Sequence, residues 1–176
     1  MNAGPLGGGG KVKVLPFSRE FESQVVDLIV GIQRGEFEIQ ITAEQQPDLR
    51  EIPSFYQNAS GNFWVALVDD RVVGTISLLD IGQRQAALRK MFVDPDFRGS
   101  AQGTAHLLLR VLLAWAGEHG VREIFLGTTP FFLAAHRFYE KSGFSEIPKS
   151  DLPSSFPIME VDTKFYHLQI PARSDA

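Results

Sequence analysis

The stretch Arg98-Gly99-Ser100-Ala101-Gln102-Gly103-Thr104-Ala105 carries the clearest chemical signature in this chain. It follows an apolar run, Leu88 to Val93, and leads into an apolar helical one, Ala105 to Trp115, so it reads as strand, glycine-bearing turn and helix start. The first turn of a helix offers backbone N–H groups without intrahelical partners, and aligned peptide dipoles make that end electropositive. Small residues leave those amides open to a phosphate, and Arg98 adds a permanent cation with a planar fork of donors. The stretch lacks both GxxxxGK[ST] and GxGxxG, which argues against a Walker-type loop and a dinucleotide turn. A connection that only needed a flexible residue would look the same, so the turn alone does not name its ligand.

A second segment narrows the choice: Ala134-Ala135-His136-Arg137-Phe138-Tyr139-Glu140-Lys141-Ser142-Gly143-Phe144. In this order, the two segments resemble the GNAT superfamily of N-acetyltransferases. That family carries an [RQ]-x-x-G-x-[GA] turn for the coenzyme A pyrophosphate and a helix ending in a Tyr-Glu-Lys-x-Gly-Phe phrase. The resemblance runs from Asn62 to Ile147 and more loosely into the flanks. Ala101 departs from it, standing where the family has glycine, which is costly only if that position needs a positive φ.

The resemblance implies acetyl-CoA as the acyl-donor co-substrate. It implies a pyrophosphate cradle from Arg98 and the amides of Gly99, Ser100, Ala101, Gln102, Gly103, Thr104 and Ala105, with the Thr104 hydroxyl as a further donor. Met91, Phe92 and Val93 would pair their main chain with the pantetheine arm as if it were an added strand. Where the family often has an asparagine seven residues before the tyrosine, this chain has Phe132, and Thr128 or Thr129 at the end of the preceding strand is the candidate replacement. Tyr139 takes the catalytic position. A tyrosine with a pKa of ~10 is protonated at neutral pH and can donate to a departing thiolate, whose ordinary pKa is ~8.5.

The base is harder to read. An amine with a pKa of ~10.4 is neutral in only about one part in 2,500 at pH 7, a penalty of ~4.6 kcal/mol, so something must take a proton. Many relatives use a carboxylate on the strand before the pyrophosphate turn, and here that strand offers Arg89 and Lys90. Glu36, Glu38, Glu51 and Asp80 remain, each equally readable as a solvated acid. His106 and His136 fall in helical segments, and no histidine pairs with carboxylates at metal-ligand spacing, so no metal is expected.

Composition bounds the rest. A chain of 176 residues with 44% apolar content is sized for one globular domain with a proper core. A net charge of −4 lacks the basic footprint that nucleic acid demands. With no cysteine there is no disulfide, thiolate metal site or cysteinyl acyl-enzyme, which fits a cytoplasmic setting. No run approaches the ~20 apolar residues of a membrane helix. Residues 1–10, rich in glycine, read as a disordered leader without signal-peptide character, 11–171 as one acetyltransferase domain, and 172–176 as a tail. The fourteen phenylalanines lead us to expect a Phe-lined core or cleft.

The elements that must position these residues follow from periodicity. Lys11 to Pro16 alternates as a strand. Ser18 is placed to cap a helix carrying Phe21, Val25, Leu28, Ile29 and Ile32 and ended by Gly35. Ala43 to Asn58 is helical but interrupted at Pro47. Asn62 to Val68 and Val72 to Leu79 form a hairpin, and Gln83 to Val93 the next strand. A helix over Ala101 to Gly120, a strand over Val121 to Leu126 and a helix over Phe131 to Ser142 follow. Strands at Phe144 to Ile147 and Val161 to Ile170 flank a Pro/Ser loop. The order matches an α/β GNAT fold, a mixed and mostly antiparallel sheet of about six to seven strands with about four helices on its faces. The expected acceptor is an amine of a small molecule or peptide. Acceptor specificity is expected from Glu36 to Asn58 and the loop Ser145 to Glu160, and Ser155 to Tyr166 reads either as an acceptor-site wall or an edge loop. A homodimer through the sheet edge or last strands is left open, and a non-catalytic acyl-CoA-binding module is the rival reading.

Overall fold

The computed structural model describes residues 10–36, 41–99, 103–130 and 133–171. Its centre is a seven-stranded sheet in the order β1-β2-β3-β4-β5-β7-β6. The strands are β1 Lys13–Pro16, β2 Asn62–Val68, β3 Arg71–Gly82, β4 Gln85–Val93, β5 Glu123–Thr128, β6 Ser145–Ile147 and β7 Lys164–Gln169. Every pairing is antiparallel except β4 with β5. The helices are α1 Glu22–Gly35, the single turn α2 Ile52–Phe55, α3 Thr104–Glu118 and α4 Leu133–Lys141. This is the expected mixed α/β GNAT architecture.

β2 shows why both faces carry helices. All seven of its residues are buried. Phe63, Val65 and Leu67 join the α1 and α2 core with Val25, Ile29, Leu49 and Ile52, whereas Trp64, Ala66 and Val68 join the α3 core with Leu108 and Leu112. A period of two with both phases apolar is what a central strand requires. Burying each such side chain stabilises by about 1.5–3 kcal/mol.

Several boundaries differ from expectation for local reasons. Ser18 donates to Glu20 rather than capping, and a short 3-10 turn over Arg19–Phe21 precedes α1. Pro47 stands at the start of another 3-10 turn, Pro47–Arg50, so the 43–58 region makes two short pieces instead of one helix. The β2–β3 and β3–β4 hairpins close through Asp69-Asp70 and Gln83-Arg84, all four with positive φ. That is the backbone of a type I′ turn, which matches strand twist and is tolerated by Asp without glycine.

Candidate active site

The site is built on a defect in β4. Thr75 pairs with Phe92 and Ser77 with Arg89, so Lys90 and Met91 both lie opposite Ile76. Lys90 takes a φ of 53°, the strain that lets the extra residue bulge out. The bulge carbonyls are not left bare: the Thr75 hydroxyl donates to Lys90 O and the Ser77 hydroxyl to Arg89 O, both at 2.7 Å. An ordinary strand would send Arg89 and Lys90 to opposite faces. The bulge instead places both on the α1/α2 side, where Arg89 lies over Phe55 and Tyr56 and Lys90 reaches Asp48 and Gln46.

Those two cations have different surroundings. The Lys90 ammonium is 3.6 Å from the Asp48 carboxylate and donates to Gln46 Oε1 at 2.6 Å. Asp48 also accepts from the Tyr56 hydroxyl at 2.6 Å, and Gln46 exchanges two amide hydrogen bonds with Gln33 of α1. Burial lowers the Lys90 pKa, with Asp48 opposing and Arg89 adding to the effect. Arg89 has no carboxylate partner among the described residues. Its guanidinium meets the Met159 sulfur at 3.7 Å and two aromatic rings at 5.8 and 5.9 Å.

β4 and β5 then separate. Their parallel ladder covers only Gln85–Ala87 against Glu123–Phe125. From Leu88 to Val93 on one side, and Leu126 to Thr128 on the other, the facing edges carry no ladder between them. Met91, Phe92 and Val93 therefore border a split, as pantetheine pairing would need.

On the α3 side of this split, Gly103 caps α3 in the left-handed region (φ 65°) and open space surrounds the position a Cβ would take. Helix α3 presses close to β3 at Gly74, where a Cβ would meet Leu108 at 3.0 Å and the Phe92 carbonyl at 3.2 Å. This close approach sets the electropositive end of a fifteen-residue helix beside the end of β4. Thr104 is buried with its hydroxyl unpartnered among the described residues, and so is the Thr129 hydroxyl just past β5. Buried orphan hydroxyls are rare and point to an absent partner. His136 donates from Nε2 to the Thr129 carbonyl at 2.8 Å, holding that residue in place. The open helix start and the two hydroxyls fit a coenzyme A pyrophosphate and pantetheine. Ala105 lies half-buried in the first turn of α3; Ser100, Ala101 and Gln102 lie outside the described residues.

Arg98 and Gly99 close the turn. Gly99 has a φ of 100°, which only glycine adopts readily. The Arg98 guanidinium is already engaged: both terminal nitrogens donate to the Glu36 carboxylate at 2.6 Å, and Nε donates to Val93 O at 2.8 Å. The cation therefore stands at the end of β4 as expected, tied to the end of α1.

Tyr139 sits on α4, 6% exposed, packed edge-on against Phe138 and Phe144. Burial raises its pKa, and the charge of Asp162 adds to the rise, so the hydroxyl stays protonated as a donor. Asp162 is the residue sequence reasoning missed. It lies just before β7, in a turn where its N–H bonds Met159 O, and the following Thr163 N–H bonds Thr128 O at the end of β5. Its carboxylate occupies the space above Gly127: a Cβ there would stand 2.7 Å from Asp162 Oδ2. Burial pushes the Asp162 carboxyl up to about 6, against the pull of the Met159 amide, Arg89 and Lys90. A glycine inside a strand marks a close approach, and that was the available signal.

The other acids have other duties. Glu36 is paired with Arg98, and Glu51 precedes α2 with its carbonyl accepting from Ser54. Burial opposes ionisation of Asp80, yet hydrogen bonds from Gly82 and Ser60 hold its carboxyl below the ordinary range, so it braces a turn. Glu38 lies outside the described residues. His106 packs edge-on to Phe138. No metal-binding cluster exists among the described residues, and no helix there is long and apolar enough to cross a membrane.

Comparison with known proteins agrees with this geometry. The family model "Acetyltransferase (GNAT) family" matches residues 27–144. An acetyltransferase of the GNAT family from Staphylococcus aureus Mu50 superposes with a TM-score of 0.85 at 36% identity, covering 90% of this chain and 98% of that one. An acetyltransferase from Streptococcus agalactiae gives 0.86 at 30% identity, again covering 90% and 98%. Among curated proteins, human N-acetylaspartate synthetase is 37% identical over 106 residues, 59% of this chain and 34% of that protein. The chain thus spans about a third of that relative's length. An N-acetylglutamate synthase from Neisseria gonorrhoeae, complexed with coenzyme A and N-acetyl-glutamate, shares the fold at 14% identity, with a TM-score of 0.68 and covering 90% of this chain and 35% of that one. With the split β4/β5 pair, the open α3 start and the matched family model in place, the chain belongs to the GNAT family of acetyltransferases.

Proposed function

We propose that this chain transfers the acetyl group of acetyl-CoA to a primary amine of a small molecule or peptide, by direct attack in a ternary complex. One observation carries the reading: the Asp162 carboxylate lies over Gly127 of β5, near enough for its charge to act on the Tyr139 hydroxyl. Main-chain groups of Met91, Phe92 and Val93 hold the pantetheine arm, and amides beside the β4 bulge polarise the thioester carbonyl. Gly99, Gly103, Thr104 and Ala105 take the pyrophosphate, with Ser100, Ala101 and Gln102 completing the turn. Arg98 exchanges Glu36 for phosphate oxygens.

The proton balance needs both side chains. The acceptor ammonium first gives one proton to solvent, which frees its lone pair; the neutral amine then bonds the acyl carbon and the carbon–sulfur bond breaks. Asp162 takes the second proton from the nitrogen. Tyr139 gives its proton to the departing sulfur and regains one from Asp162, so one proton in all leaves for solvent. A carboxyl near 6 is too weak to deprotonate a free ammonium, so solvent takes that first proton; once the neutral nitrogen has bonded the carbonyl carbon it becomes far more acidic, and that is when Asp162 can accept.

The rival is a non-catalytic acyl-CoA-binding module, favoured by Phe132 and by the lack of a carboxylate on β4. Asp162 supplies that carboxylate from elsewhere. Thermal unfolding with acetyl-CoA, using ATP and NAD as controls, tests binding: a ligand at 100 times its Kd adds about 2.7 kcal/mol. Amine-dependent release of thiol then tests transfer. A shift without release for any amine leaves the binding module, and no shift removes the cradle.

A further inference from the structure

The β4 bulge aims two adjacent cations at one face, and of the two only Lys90 has a carboxylate within ion-pair distance among the described residues, Asp162 acting on Arg89 from farther off. Lys90 is neutralised by Asp48 and held by Gln46, so it forms part of the scaffold that joins α1 and α2 to the sheet. Arg89 has no carboxylate among the described residues, although it is half-buried and its stem is committed to β4. A half-buried guanidinium outside any ion pair keeps N–H donors available to a ligand's anion. Its planar fork binds a carboxylate or a phosphate bidentately.

Its surroundings define where that carboxylate would sit. Phe55 and Tyr56 of the α2 segment lie under the guanidinium, and Met159 touches its edge. Phe55 and Met159 are each 38% exposed, so Arg89 stands between two apolar side chains that open to solvent. Asp162 follows Met159 by three residues and is turned back onto Met159 O. The cation, the apolar rim and the base are therefore set close together, Phe55 and Met159 coming from the two segments marked for acceptor specificity, Arg89 from β4 and Asp162 from just before β7.

We infer that Arg89 is an acceptor-carboxylate site, so that the substrate is an amino carboxylate: its carboxylate on the Arg89 fork, its amine toward Asp162, and its remaining apolar surface along Phe55 and Met159. This rests on the acetyl-transfer reading above and specifies its acceptor. Arg89 is a specificity residue rather than a proton carrier, because a guanidinium has no proton to give at working pH.

The test uses calorimetric binding to the full chain saturated with coenzyme A, alongside thiol release with acetyl-CoA. The probes are L-leucine, L-phenylalanine, L-aspartate and β-alanine, each beside its carboxamide (the diamide for aspartate). The wild type is expected to bind and acetylate at least one acid over its amide. Arg89→Gln is expected to lose about 10- to 100-fold in affinity and in kcat/KM for that acid, mainly through KM, and to change the amide far less. Arg89→Lys should restore part of the difference. Equal use of acid and amide by the wild type overturns the inference, as does a variant that loses both equally while keeping its acetyl-CoA shift. Discrimination in binding without any thiol release would uphold the carboxylate site and sink the transfer reading, so the two can fail separately.

Discussion

The two sides of the β4/β5 split are built from different materials. Toward α3, the site consists of main chain and small hydroxyls: the glycine-capped start of α3, the free edge of β4, Thr104 and Thr129. Toward α1 and α2 it consists of charged side chains brought from distant segments: Arg89 and Lys90 on the bulge, Asp48 before α2, Asp162 before β7. The first side can hold a cofactor common to a whole family, because backbone geometry barely depends on side-chain identity. The second side depends on side-chain identity, and residues there outside the Lys90–Asp48 scaffold, such as Arg89, can vary with less cost to the fold.

Substitutions should break the two sides in different ways. The largest effect is expected at their meeting point. Tyr139→Phe should lower kcat by about 10²–10³-fold while leaving the acetyl-CoA-induced thermal shift nearly unchanged. Full activity in that variant would remove Tyr139 from the chemistry. On the acceptor side, Gly127→Ala should push the Asp162 carboxylate out of its place. We expect it to reproduce most of the loss seen in Asp162→Asn, about 10²-fold in kcat, again with the acetyl-CoA shift retained. A fully active Gly127→Ala enzyme would show that the position of Asp162 is unimportant.

On the donor side, Arg98→Ala should weaken acetyl-CoA binding by only about 3- to 10-fold, because the ion pair with Glu36 must be given up when Arg98 turns to phosphate. Glu36→Gln is the sharper probe, since it should tighten acetyl-CoA binding slightly. Calorimetry on the pair reads this directly, and weaker binding in Glu36→Gln would contradict the exchange.

The smallest effect concerns stability. The folded-state pKa of Asp162, about 6, lies above its ordinary 3.8, so folding favours its protonated form. The molecule is accordingly most stable, in this one respect, below the ordinary pKa. It loses that stability as pH rises through about 6. Asp162→Asn should therefore be more stable than wild type at pH 8 by about 1–2 kcal/mol, allowing for partial solvent screening, and no different near pH 4. Denaturant melts at the two pH values check it.

Legibility in the sequence divides along the same line. The donor side was readable because its determinants are contiguous: Arg98 to Ala105 spells a turn and a helix start, and Tyr139 sits in a short phrase. The order of elements along the chain was readable in outline because runs such as β2 are apolar in both phases. Arg89 and Lys90 were visible as residues but not as a pair on one face, since the bulge that aligns them depends on Thr75 and Ser77 of the neighbouring strand accommodating it. Asp162 could not be placed at all from its own neighbourhood. Its position follows from β7 crossing the end of β5 and from Gly127 leaving space, a contact between residues 35 apart in the chain.

The most direct test of the account is the pH dependence of kcat/KM for amine-dependent thiol release, in the wild type and in Asp162→Asn. Burial raises the Asp162 carboxyl to about 6, and burial raises the Tyr139 hydroxyl away from that range. The account expects an acid limb near pH 6 in the wild type, with activity lost as pH falls, and no such limb in the variant. The same limb in both proteins, at comparable rates, would mean that Asp162 takes no proton and that the β4/β5 split works by some other base.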